Sequence, residues 1–282
     1  MLDTSMLLRD GRVLAFTDCG ASSDPPVFYC HGAPGNRLDL VWIEDAFRGV
    51  RVRVVSADRP GYGGSSPHPG RGWNDWPDDL AALADHLSVE RFAVMGWSSG
   101  GPYAVACASL LPERVTSAAI ISGVTDMGWP DAWEGYDEAE ATLMGIGDEA
   151  QAVAWCEEHY GPDGARFFSR PGDLPPADVA FLQDDAVIAG WMPTRAEAFR
   201  RGIGGFAQDI TVQGRSWSFD PGKITAPTRV LHGEDDPRVP IKHSRHTAEV
   251  ISGAALETFS GRGHLSMLAE TPRVAAELIA LK

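Results

Sequence analysis

The stretch VMGWSSGG, residues 94–101, runs from a short apolar segment into a knot of serine and glycine, and the helix-like segment GPYAVACASLL (101–111) overlaps its end. Within it, Gly96-Trp97-Ser98-Ser99-Gly100 has the form G-x-S-x-G. A Gly/Ser turn also serves as an ordinary linker, so the flanking pattern decides the reading. Between a strand and a helix the chain must reverse sharply, which forces the central serine into strained backbone angles. Small residues two before and two after let neighbouring segments pass close by, and the hydroxyl is lifted above the sheet beside the next helix. Ser98 has glycines at both offsets, whereas Ser99 has Trp97 where it needs one. Ser98 is the candidate nucleophile.

The same alternation extends outward. Short apolar runs, partly β-branched and ended by turn residues, recur at PPVFYC (25–30), VRVVSAD (52–58), RFAVMG (91–96), SAAIIS (117–122) and TRVLHG (228–233). Helix patterns separate them at DDLAALADHL (78–87), GPYAVACASLL and SRHTAEVI (244–251), and TPRVAAELIALK (271–282) reads as a closing helix. Strand alternating with helix predicts an α/β fold, a mostly parallel sheet with helices on both faces. RDGRVLAFTDCG (9–20) reads instead as the second arm of an antiparallel hairpin at the sheet edge.

The middle of the chain breaks this rhythm. Residues 125–219 hold 17 Asp/Glu against 6 Arg and no Lys, which is −11 of the net −15, and five of the nine tryptophans (Trp129, Trp133, Trp155, Trp191, Trp217). Patterns such as DEAQAVAWCEEHY (148–160) and PADVAFLQDDAVIAGW (176–191) predict a mainly helical insertion over 126–219, leaving 1–125 and 220–282 as one core domain. The aromatics need burial, so the segment is no linker. An apolar fraction of 44% and 282 residues suit a globular chain with a full core. The negative charge argues against nucleic acid as a partner. No apolar run reaches the roughly 18 residues of a membrane span, and the N-terminus lacks a basic start, so a cytoplasmic protein with no membrane partner is expected. Cys19, Cys30, Cys107 and Cys156 match no disulfide or metal spacing and are expected as free, buried thiols.

A serine nucleophile needs a general base, an acid to orient it, and two N–H groups aimed at the developing oxyanion. CHGAPG (30–35) follows a predicted strand with a tight turn, where the Ala33 N–H can pair with the N–H of Ser99. LHGEDDPRVP (231–240) sets Glu234, Asp235 and Asp236 just past a late strand, and GRGHLSM (261–267) sets His264 in a Gly-flanked turn after AALETF (254–259). The order Ser, acid, His is that of a nucleophile elbow on an α/β sheet. His31, which opens the oxyanion turn, reads as structural. His243 and His246 lie three apart on a predicted helix without a third ligand, so they read as a solvated helix face.

Four motifs in order, HGAPG (31–35), DRPGYGGSS (58–66), GWSSGG (96–101) and LHGEDDPRVP with GRGH (261–264), make the chain resemble the α/β-hydrolase superfamily in its cap-bearing branch. The resemblance covers nearly the whole chain, with residues 126–219 matched to the cap only in placement and helical character. It implies the α/β-hydrolase fold, Ser98 as nucleophile, His264 as base and Asp236 as acid, since DPRVP puts Asp236 before the family's x-x-V-P ending. Asp235 is the alternative acid, and Asp126 a further one, because some relatives carry the acid after the strand that SAAIIS resembles. Asp58 and Arg59 are implied as structural.

Cap-bearing epoxide hydrolases and haloalkane dehalogenases use aspartate to attack an sp³ carbon, so a serine here implies acyl chemistry. Ala33 and GWSSGG depart from the HGGPG and GGSWG of proline iminopeptidases. The resemblance thus implies a serine hydrolase, with no cofactor or metal, acting on a small or medium neutral carboxylic ester or lactone. A C–C bond hydrolase with the same triad, or a small-molecule receptor on this fold, are the alternatives. The five tryptophans are expected either to wall an apolar pocket or to form the cap's own core, and Arg195, Arg200 and Arg201 offer a carboxylate site.

Overall fold

In the computed structural model, which describes residues 2–136, 138–167 and 174–281, the short apolar runs become strands of one sheet. They are β1 (Leu2–Leu7), β2 (Val13–Cys19), β3 (Pro26–Cys30), β4 (Arg53–Ala57), β5 (Phe92–Trp97), β6 (Val115–Ile121), β7 (Thr228–Gly233) and β8 (Ala255–Phe259). The order across the sheet is β1-β2-β4-β3-β5-β6-β7-β8. β1 and β2 form the expected antiparallel hairpin, with β2 antiparallel to β4, and all other pairs are parallel.

Alternate residues of the central strands enter opposite core layers, and both layers are apolar. Phe28 and Cys30 of β3 and Phe92 and Val94 of β5 face one, whereas Val27, Tyr29, Ala93, Met95 and Trp97 face the other. This is why the strands read as unbroken hydrophobic runs rather than as polar-apolar alternation. The first layer is closed by α2 (Asp75–His86) and α3 (Gly101–Leu110), the second by α1 (Glu44–Val50) and the closing helix α9 (Thr271–Ala280). The four cysteines are free and buried.

The connections place the site. From β3 the chain moves to one side to form β4, then returns to the other side of β3 for β5. Crossovers that diverge from one point leave a crevice at the carboxyl ends of the two strands they flank. The turns after β3 and β5, residues 31–35 and 98–100, therefore meet over that crevice.

Among the described residues between β6 and β7 there is no strand. The chain forms α4 (Glu138–Met144), α5 (Glu149–Tyr160), α6 (Pro176–Leu182), a π-helical turn (Val187–Trp191), a 3-10 stretch (Met192–Phe199) and α7 (Gly204–Gln213). Asp148 caps α5, its carboxylate accepting the Gln151 N–H at 2.8 Å. Leu143, Met144, Ala152, Cys156, Phe199, Phe206 and Ile210 form a third apolar cluster, joined by Tyr62 and Val239 from the flanks.

Three expectations need correcting. The helix pattern over 176–191 is two elements, because the Asp184 side chain accepts the N–H groups of Ala186 and Val187 and starts a new turn there. His243 is not on a solvated face. On α8 (Ile241–Val250) it is buried, accepts the Thr125 N–H at Nδ1 and donates from Nε2 to the Ala132 carbonyl, and burial pulls its pKa down to about 4. His246 stacks flat on Trp129, with centroids 4.1 Å apart, and hydrogen-bonds Thr125 Oγ1. Both histidines fasten α8 to the segment after β6.

The start of α7 passes directly over the turn after β4. Gly61 sits at φ 85°, and a Cβ on Gly205 falls 2.4 Å from the Gly61 carbonyl carbon. Backbone on both sides leaves nothing to yield. Gly205→Ala is expected to lower unfolding stability by about 1–3 kcal/mol, read from urea denaturation followed by circular dichroism. An unchanged midpoint shows that the two backbones separate freely.

Candidate active site

Ser98 occupies the first residue after β5, at φ 55° in the left-handed region, and a 3-10 turn (Ser98–Gly100) leads into α3. The glycines at its flanks are required by contact. A Cβ on Gly96 lies 2.2 Å from the Gly100 carbonyl oxygen, and one on Gly100 lies 2.0 Å from that of Cys30. No side chain fits at either position, which explains the G-x-S-x-G spacing physically. Ser98 is 7% exposed and borders a cavity.

His264 reaches it from the turn after β8. Its Nε2 lies 2.9 Å from Ser98 Oγ, and its Nδ1 lies 2.7 Å from Asp236 Oδ2. With the ring proton on Nδ1 donated to the carboxylate, Nε2 is free to accept from the serine hydroxyl. The ring packs on Trp97, centroids 4.9 Å apart, and the Trp97 indole N–H donates to the His264 carbonyl at 3.1 Å.

Asp236 follows β7. Its Oδ1 accepts the N–H groups of Arg238 and Val239 at 2.8 and 3.0 Å, leaving Oδ2 to the imidazole. Burial pushes this carboxyl up, but the His264 ring and its hydrogen bond, with His232 and the Val239 N–H, outweigh burial and hold it below the usual range. His232, itself kept below its ordinary pKa by burial, spans Ser244 Oγ and the Val239 carbonyl and so props the same loop.

The alternatives for the acid lie elsewhere. Asp235 is exposed, and Asp126 accepts the N–H groups of Gly128 and Trp217. Ala33 and Ser99 both border the cavity beside Ser98. Asp58 accepts from Arg37 and from the Gly64 N–H, well inside the core.

Two buried acids went unread in the sequence. Asp178 on α6 accepts the N–H groups of Leu265 and Ser266 at 3.1 and 2.8 Å, gripping the turn that carries His264. Asp209 on α7 pairs with Arg59 and Arg71. Asp178 has no signal, lying 87 and 88 positions before the two N–H groups it holds. Asp209 has one: it is a lone acid within the otherwise uncharged helix GGFAQDITVQ.

The cavity measures about 260 Å³, just below the ~300–1,000 Å³ typical of small-molecule sites. Its wall is mainly apolar, with Trp97, Leu182, Trp191, Phe206, Ile210 and Val239 among its residues. Only Trp191 of the five middle-segment tryptophans borders it. Trp129 and Trp155 stack on His246 and His159, Trp133 donates to the Met127 carbonyl, and Trp217 stacks on Phe219 in the core.

Arg195 borders the cavity over the Trp191 ring, its pKa drawn down to about 10 by burial. Arg200 and Arg201 lie outside it, exposed, bonded to Glu197 and the Gly64 carbonyl, so the three do not form one site. Among the described residues no cluster of His, Cys, Asp or Glu is arranged to hold a metal, and no helix is long and apolar enough to cross a membrane.

The arrangement can take a proton from one hydroxyl and pass it on inside a small apolar cavity. Comparison with known proteins agrees on its setting. Residues 25–271 match the family model described as the alpha/beta hydrolase fold. The chain is 27% identical to a bifunctional esterase/perhydrolase of Acinetobacter calcoaceticus, over 96% of each protein. It is 28% identical to a non-heme haloperoxidase of Rhodococcus erythropolis, again over 96% of each. A solved alpha/beta hydrolase fold protein from Nakamurella multipartita superposes with a TM-score of 0.71 at 27% identity, over 98% of both chains.

The buried Asp236 carboxylate makes stability depend on pH. Its folded pKa is depressed, so its contribution is present above the unfolded value of 3.8 and is lost as pH falls through the lower folded value. Wild type is expected to exceed Asp236→Asn in urea stability by on the order of 1–3 kcal/mol at pH 6, with the gap closing toward pH 3. A gap of the same size at both pH values contradicts this.

Proposed function

The chain belongs to the α/β-hydrolase family, and we propose that it is a serine hydrolase that cleaves a small, neutral carboxylic ester or lactone through an acyl-enzyme. The observation that carries the reading is the chain of short contacts from Asp236 through His264 to Ser98, at 2.7 and 2.9 Å, ending on the cavity wall. In this reading Ser98 Oγ attacks the carbonyl carbon while His264 Nε2 takes its proton. Asp236 holds the imidazole tautomer and stabilises the imidazolium. The carbonyl oxygen, now negative, is met by the N–H groups of Ala33 and Ser99. The tetrahedral centre collapses, His264 returns the proton to the leaving alkoxide, and the acyl group stays on Ser98. Water, activated by the same imidazole, then releases the acid and restores the serine.

Residues 126–219 act in this account as a cap. Leu182, Trp191, Met192, Phe206 and Ile210 from that segment supply much of the apolar wall, which favours a short acyl chain and a neutral group. The Acinetobacter relative is named an esterase/perhydrolase. The same acyl-enzyme attacked by hydrogen peroxide instead of water yields a peracid and free serine, so peroxide is the second acceptor to test.

Hydrolysis of p-nitrophenyl esters from acetyl to decanoyl is expected to saturate, to peak at short chains, and to fall on the order of 10⁶-fold in kcat for Ser98→Ala. Asp236→Asn is expected to lose about 10⁴-fold. Equal turnover by wild type and Ser98→Ala overturns the assignment.

A further inference from the structure

Beneath the 31–33 turn lies a buried set of side chains that none of these steps uses. Arg59, Arg71, Asp209, Tyr62 and Tyr103 are all buried. Asp209 Oδ2 accepts from Arg59 Nη2 at 2.8 Å and from the Tyr62 hydroxyl at 3.2 Å, and Oδ1 accepts from Arg71 Nη2 and the Tyr103 hydroxyl, each at 2.6 Å. The two arginines overcome burial and hold the Asp209 carboxyl far below its ordinary range. Desolvation offsets much of the attraction among three buried charges, so the cluster is weak evidence of a contribution to stability.

The rest of the Arg59 fork is spent on the main chain of the oxyanion turn. Nη1 donates to the His31 carbonyl and Nη2 to the Gly32 carbonyl at 2.8 Å. The Arg59 N–H donates to His31 Nε2 at 3.0 Å, so the ring proton sits on Nδ1, which donates to the same Gly32 oxygen at 2.7 Å. The imidazole stays neutral because burial and the adjacent guanidinium push its pKa well down. Two donors thus hold one carbonyl oxygen.

Peptide geometry carries that grip to the cavity. The Gly32–Ala33 bond is trans and planar, so the Ala33 N–H points opposite to the Gly32 oxygen. The Trp97 ring packs against the same turn, where a Cβ on Gly32 would fall 2.7 Å from it. We propose that Arg59, locked by Asp209 of α7, is a positioning residue that aims the Ala33 N–H at the developing oxyanion. Its anchor comes from the cap segment, so docking of α7 on the core sets the oxyanion site as well as the cavity roof. The inference rests on the acyl-transfer reading given above.

Arg59→Met suits the test because it leaves Asp209 paired with Arg71. The variants Arg59→Met, Arg59→Lys and Ser98→Ala are compared with wild type for kcat and KM on the best p-nitrophenyl ester. Each is also measured for inhibition by a trifluoromethyl ketone of matching chain length, which forms an oxyanionic hemiketal with a serine. Arg59→Met is expected to lose roughly 10- to 100-fold in kcat, less than the ~10²–10³ of deleting an oxyanion donor, with the ketone weakened in proportion. KM is expected to stay within about threefold, and Arg59→Lys to fall between.

A folded Arg59→Met, judged by thermal unfolding, with kcat and ketone affinity within about twofold of wild type overturns the inference. A loss confined to KM, or a lower kcat with ketone affinity unchanged, overturns it equally. If Arg59→Met does not fold, Arg59→Lys decides by the same criteria. Wild-type turnover that survives Ser98→Ala instead defeats the serine reading itself, which separates the two failures.

Discussion

At Ser98 the backbone is held at φ 55°, a conformation that costs an L-residue about 1–2 kcal/mol. It persists because the surrounding main chain leaves no alternative. Gly96 and Gly100 touch one another, and Gly100 abuts the end of β3. The turn is therefore clamped to the neighbouring strand at the point where the crossovers diverge. The other candidate groups are referred to this clamp. Trp97, one residue earlier, ties the His264 carbonyl, and the 31–33 turn follows directly from the strand that Gly100 meets.

The middle segment does more than roof the cavity. Asp178 takes two N–H groups of the turn carrying His264, and Asp209 takes the guanidinium that donates to the His31 and Gly32 carbonyls. Each is fully buried, and each reaches from an inserted helix to a loop of the sheet domain. The acidic middle segment thus spends two carboxylates on holding opposite sides of the proposed site. The turns bearing His264 and Ala33 are thereby tied to α6 and α7 as well as to the sheet.

The sheet was legible because parallel strands buried on both faces leave unbroken apolar runs, as at RFAVMG and TRVLHG. The elbow was legible because glycine at fixed offsets records backbone contact, as at Gly96 and Gly100, and His264 because it stands in a Gly-flanked turn after AALETF. Asp236 needed family resemblance to separate it from Glu234 and Asp235, and its distinction in space is its buried carboxylate facing the imidazole. The Arg59–Asp209 pair was not legible, since 150 positions separate partners that meet only after α7 docks. His243 misled for the related reason that a helix pattern does not say what the next element will cover. The tryptophans left two outcomes open because a large ring packs equally well in a core or against a ligand, and the structure divides them: Trp191 borders the cavity, whereas Trp129, Trp133 and Trp155 pack on the middle-segment cluster.

The central claim, that Ser98 is the residue the turn presents for acyl transfer, is tested most directly by labelling. The intact protein is treated with a small alkyl fluorophosphonate, digested, and the adduct located by mass spectrometry. One phosphonyl group on Ser98, absent in His264→Ala at the same exposure, is the predicted result. Adduct on another residue, or equal labelling without His264, contradicts it.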